Sequence, residues 1–134
     1  PSVGWREKKA EISRDTIDFF EKMRTSAALS ALENMIQIAS ASDVNVIGVI
    51  FPLSPWYKET GAFGRYGLKR SHAKMLIEEM NAFEDKYLNF YLMDENKMGD
   101  HDYTEEMAFD YDHLSVLGAV QLTSRLDSLL QTLE

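Results

Sequence analysis

The chain has 134 residues, 45% of them apolar, and a formal charge of −8, which fits a single domain, or the C-terminal fragment of one, with a buried core. A pI near 4.9 argues against nucleic acid as a partner, since phosphate backbones need a positive surface. The absence of cysteine removes disulfides, thiolate zinc sites and cysteine nucleophiles, and the longest apolar run, around Val44–Leu53, is too short for a membrane span.

Residues 1–13 form an irregular lead with no clear period and no signal-peptide pattern, in which Trp5 reads as a docking side chain. The α/β core is expected over 14–131, and the terminal Leu133-Glu134 has the form of a vector-derived scar. From Arg14 to Ser40, Phe20, Met23, Ala27, Ala31, Leu32, Met35 and Ile36 recur at helical spacing. They predict one long amphipathic helix, or two with a break near Thr25-Ser26. Residues 44–51 are rich in β-branched side chains and read as a strand buried on both faces, ended by Pro52 and Pro55. A loop over 52–70 follows. A helix is predicted from Ser71, as N-cap, to Glu84, then a strand at 87–93. An acidic loop spans 94–106, Met107-Ala108-Phe109 reads as a short extended stretch, and a last helix runs from about Ser115 to Leu130.

Strand, helix and strand in this order imply a parallel pair with a right-handed crossover. Helices before and after imply cover on both faces, a partial parallel-sheet α/β sandwich. Two strands make a thin sheet. The remainder is expected from an undetected strand, from the rest of a larger domain, or from another chain along the sheet edge.

The sharpest chemical signal is Phe109-Asp110-Tyr111-Asp112-His113-Leu114-Ser115-Val116-Leu117-Gly118-Ala119. An Asp three residues before a His lets one turn hold a base and its orienting carboxylate. The Asp accepts from one ring nitrogen, fixes the tautomer and leaves the other nitrogen to deprotonate a hydroxyl. The loop follows the last predicted strand, where ligands bind in open α/β sheets. The plainer alternative is a helix N-cap formed by Asp112 or Ser115, with His113 incidental.

These residues resemble the last motif block of the SGNH, or GDSL-type, hydrolases. That block has the form Asp-x-x-His, often followed by Leu, Ser or Asn, two residues, and Gly-Ala or a similar pair. The order of a strand ending in Phe51-Pro52-Leu53-Ser54-Pro55, a helix, a second strand and Asp-x-x-His is similar to that family's second half, over residues 30–131. The resemblance implies a flavodoxin-like α/β fold, an ester or acyl-carbohydrate substrate, His113 as general base and Asp110 as its orienting carboxylate. The family's Gly-Asp-Ser nucleophile block and its Gly-x-Asn-Asp oxyanion block are absent here. The implied partner is therefore the N-terminal half of the domain, and the isolated chain is expected to be inactive. The chain also resembles the C-terminal region of long uncharacterised paralogous proteins from cellulose-degrading rumen bacteria.

Two further constellations stand out. Ser54, Trp56, Tyr57, Phe63 and Tyr66 in the 52–70 loop are candidates for a substrate pocket that stacks on a sugar or walls an acyl group; packing over the sheet edge is the alternative. Ser54, in Leu-Ser-Pro, reads as a turn residue rather than a nucleophile. Asp94, Asn96, Gly99 and Glu105 match four positions of a twelve-residue calcium loop, but Met98 stands where an oxygen ligand belongs, and a solvated acidic loop is the default. No cofactor motif is present. The rival to the hydrolase reading is a non-catalytic binding or assembly module of a larger protein, using the aromatic loop and an unpaired sheet edge.

Overall fold

The computed structural model describes residues 4–6, 21–65 and 68–133, with the side chains of 26–65 among them. The predicted helical residues 14–20 and Tyr66 lie outside these residues. The described residues form a mixed helix and strand assembly of three α-helices and a two-stranded parallel sheet.

Helix α1 spans Glu21–Ser40 without a break at Thr25-Ser26. Strand β1, Val46–Ile50, pairs in parallel with β2, Phe90–Asp94, in the register Val46↔Phe90 through Ile50↔Asp94. Helix α2, Arg70–Lys86, joins them and packs on β2. Both strands are shorter at their starts than the sequence predicts, because their entry residues bond to helix ends. The Val44 N–H donates to the Ala39 carbonyl, the Tyr87 N–H to Phe83, and the Asn89 amide bridges the carbonyls of Ile36 and Val44.

The N-cap of α2 is Lys69, not Ser71. The Arg70 N–H donates to the Gly61 carbonyl and Lys69 forms an antiparallel bridge with Ala62, which turns the chain into the helix two residues early. The predicted loop also holds one 3-10 turn, Pro55–Glu59. Helix α3, Val116–Gln131, packs chiefly on the 3-10 turn Glu105–Met107 rather than on a strand.

The main core lies beyond the carboxyl ends of the strands. Trp5, Tyr57, Ala62, Tyr103, Ala108 and Tyr111 are buried together there, flanked by Leu53, Trp56 and Leu114. Trp5 does dock: its carbonyl accepts from the Trp56 indole N–H at 2.8 Å, and its ring lies 4.9 Å from that of His101. The sheet itself is thinly covered. Every residue of β1 is only half-buried, and Met35, Ile38, Phe51, Val116, Leu117 and Val120 are exposed.

Candidate functional site

The Asp110–His113 turn is held at both ends by backbone. The Phe109 N–H donates to the His113 carbonyl at 2.8 Å, closing the turn, and Ala108 bridges Leu114. Ser115 then fastens α3. Its N–H donates to the Met107 carbonyl and its hydroxyl to the Glu106 carbonyl, both at 2.8 Å, while Oγ accepts weakly from the Gly118 N–H. Ser115 is thus the N-cap expected at this place. Gly118 explains the glycine of the motif: a Cβ there would lie 2.2 Å from the Met107 carbonyl oxygen. The first turn of α3 therefore sits directly on the backbone of the preceding 3-10 turn.

Inside this frame Asp110 and His113 meet. The His113 Nδ1 lies 2.8 Å from Asp110 Oδ1 and 2.9 Å from Oδ2. Asp110 Oδ1 also accepts the backbone N–H groups of Asp112 and His113, each at 2.9 Å. A carboxylate facing Nδ1 selects the Nδ1–H tautomer, so Nε2 keeps the lone pair. Burial pushes the Asp110 carboxyl up, but the Asp112 N–H, the His113 ring and the His113 N–H outweigh it and hold the carboxyl below its ordinary value. The His113 side chain is 73% exposed, so a reactant can reach it.

The 52–65 loop lies against this turn. The Ser54 N–H donates to the Tyr111 carbonyl at 2.8 Å, and the Tyr57 hydroxyl donates to Asp112 Oδ1 at 3.2 Å. Among the pocket candidates, Trp56 and Phe63 are half-buried, whereas Tyr57 is 2% and Ser54 1% exposed. Tyr57 is a core residue with its hydroxyl turned to Asp112, and Ser54 is closed off beneath the loop. Both are supports, not walls open to a substrate.

The calcium-loop residues are not brought together. Asp94 Oδ1 accepts the N–H groups of Asn96 and Lys97, Asn96 Oδ1 accepts the Leu53 N–H at 2.9 Å, and Glu105 faces Arg6. Among the described residues no cluster of three His, Asp or Glu side chains could hold a metal. Lys97, Met98 and Gly99 are all left-handed, with φ of 47°, 55° and 90°. This costly run is secured by the Arg70 guanidinium, which donates to the Met98 carbonyl.

A further polar group near the site has no sequence motif. Arg125 on α3 reaches Glu95 Oε2 at 2.5 Å and Asp102 Oδ2 at 2.6 Å, and stacks on the Tyr103 ring. The Tyr103 hydroxyl donates to the same Glu95 oxygen at 2.8 Å. Glu95 directly follows β2 and donates its N–H to the Ile50 carbonyl of β1. The network therefore ties α3 to the carboxyl ends of both strands. No short motif carries it, since its members are scattered over 31 positions; a lone arginine in the apolar last helix was its one sign.

No protein-family model, curated protein or solved structure matches this chain. Among the described residues no helix is long and apolar enough to cross a membrane.

Proposed function

We propose that this chain is the C-terminal portion of an SGNH-like ester hydrolase domain, and that it supplies the His-Asp pair to a serine carried outside it. The observation that carries the reading is the two-oxygen pairing of Asp110 with His113 Nδ1 in a turn that follows two parallel strands at their carboxyl ends. In the completed domain the external serine hydroxyl gives its proton to His113 Nε2 as its oxygen attacks the ester carbonyl. Asp110 stabilises the imidazolium that forms. The imidazolium returns the proton to the leaving alcohol, and water then releases the acyl group by the same base assistance. The substrate class is an ester, including acyl groups on carbohydrate, against Trp56 and Phe63.

The finer architecture belongs to the same proposal: a flavodoxin-like sandwich whose remaining strands extend from β1 and whose missing elements cover the exposed residues of α1 and α3. The open β1 and the exposed Val116, Leu117 and Val120 support a partner of this kind. They equally support the alternative, a non-catalytic assembly module that docks through the same edge.

The experiment is a pair of nitrophenyl ester assays. The chain alone should hydrolyse short-chain esters no faster than its His113→Ala variant, because nucleophile and oxyanion donors are lacking. The chain joined to its upstream sequence should hydrolyse them at a rate that His113→Ala lowers by at least a hundredfold. A completed protein with no ester hydrolysis sinks the enzymatic reading in favour of the module. Robust hydrolysis by the chain alone shows the nucleophile to be inside it.

A further inference from the structure

Asp110 and Asp112 stand two residues apart in one tight turn, and their carboxylates do different work. Asp110 curls back over its own turn and gathers the N–H groups of Asp112 and His113 together with the His113 ring. Asp112 faces the opposite wall, where its Oδ1 accepts both the Tyr57 hydroxyl at 3.2 Å and the Arg65 N–H at 3.4 Å. Tyr57 is buried in the core, and a buried phenol hydroxyl needs a partner. Arg65 lies eight residues further along the same loop. Asp112 thus grips both the 3-10 turn and the far limb of the aromatic loop, while its own N–H is bound to the carboxylate that orients His113.

We propose that Asp112 is a positioning residue that registers the 54–65 loop against the Asp110–His113 pair. Resting on the hydrolase reading, this sets where a substrate held by that loop lies relative to His113 Nε2. The Asp112 carboxyl reaches the loop through Tyr57 and Arg65 and also feels the like charge of Asp110. Burial raises the Asp112 carboxyl above its ordinary value, against the opposing hydrogen bonds from Arg65 and Tyr57. A carboxyl kept at this burial cost fits a residue placed for its geometry.

The test uses the isotopically labelled chain itself. Asp112→Ala should speed exchange of the Arg65 amide hydrogen roughly fivefold or more, the loss of one hydrogen bond. Asp112→Asn should restore wild-type exchange, because its amide oxygen accepts from the same two donors. Asp112→Ser, too short to reach either, should behave like alanine and serves if the alanine variant does not fold. Ring nitrogen shifts should report an unchanged Nδ1–H tautomer of His113 in Asp112→Ala and a mixed one in Asp110→Asn. Unchanged Arg65 exchange in the alanine and serine variants, or failure of asparagine to rescue, overturns the proposal. These readouts need no catalysis, so they stand apart from ester hydrolysis by the completed protein, which tests the hydrolase reading.

Discussion

Gly118→Ala sets two physical rules against each other. Gly118 lies near the start of α3, and exchanging glycine for alanine inside a helix favours folding by about 1 kcal/mol. Yet the added methyl would lie 2.2 Å from the Met107 carbonyl oxygen, about 0.8 Å inside the 3.0 Å that real contacts of this kind respect, with Leu114 side-chain carbons at 2.8 Å and 3.1 Å as well. The backbone oxygen cannot rotate away as a side chain can. The helix must lift off the Glu105–Met107 turn, stretching the Ser115 hydrogen bonds to Met107 and Glu106. Overpacking of this kind costs about 1–3 kcal/mol and occasionally more, and each weakened hydrogen bond adds about 1 kcal/mol. The expected net loss is about 2 kcal/mol, read by urea unfolding, with a melting temperature lower by roughly 8 °C. Gly61→Ala is the control, since nothing lies within 4 Å of its Cβ position. Neutral or stabilising behaviour of Gly118→Ala would refute the close seating of α3.

Arg125→Met should cost about 3 kcal/mol in the same unfolding assay, because it leaves the Glu95 carboxylate, with a side chain 10% exposed, beneath the helix without its cation. The Glu95→Gln, Arg125→Met double variant should lose less than the two single losses added together; additivity, or a single loss under about 1 kcal/mol, would show the network to be incidental. Stability should fall as pH drops below about 4, since Asp100, Asp102 and Asp110 are held below their ordinary values, and such groups contribute stability above the unfolded pKa that is lost as pH falls through the folded one. Asp112 has the opposite sign. Its raised carboxyl contributes stability at low pH that is lost as pH rises through its folded value. Unfolding measured at pH 7 and pH 3.5 should therefore show a steeper acid loss for Asp112→Asn than for the wild type and a shallower one for Asp110→Asn; the reverse order would contradict the assigned environments.

What the sequence made legible were features with a local period or a local partner. The β-branched run at 46–50, the apolar faces of α2 and α3, and the parallel pairing of β1 with β2 follow from pattern and connection length alone. The Asp110–His113 contact spans three residues and closes within one turn. Long-range accounting stayed hidden. Asn96 looks like a ligand in a calcium spacing, but its carbonyl answers Leu53, 43 positions earlier. Ser54 looks available at a strand end, but the Tyr111 carbonyl draws its backbone under the loop. Lys69 replaces Ser71 as the helix boundary because of Gly61 and Ala62. The left-handed Lys97 and Met98 could not be foreseen from residues that normally avoid that conformation; among the groups that hold them is Arg70, 28 positions away from Met98.

The chain has two tryptophans, and the bond from the Trp56 indole to the Trp5 carbonyl puts both at one place. Intrinsic emission is therefore a reporter of the rim rather than of the protein at large. Trp5 is buried against the His101 ring, whose Nε2–H is committed to the Leu53 carbonyl at 2.7 Å, while Trp56 is half-buried in the loop that faces the Asp110–His113 turn. The two indoles sit in unlike surroundings, linked through the Trp5 carbonyl. A ligand that enters the loop will change Trp56 first, and separation of residues 4–6 from the core will unmask Trp5. Colour and lifetime can separate these two events without a label, before any substrate is known.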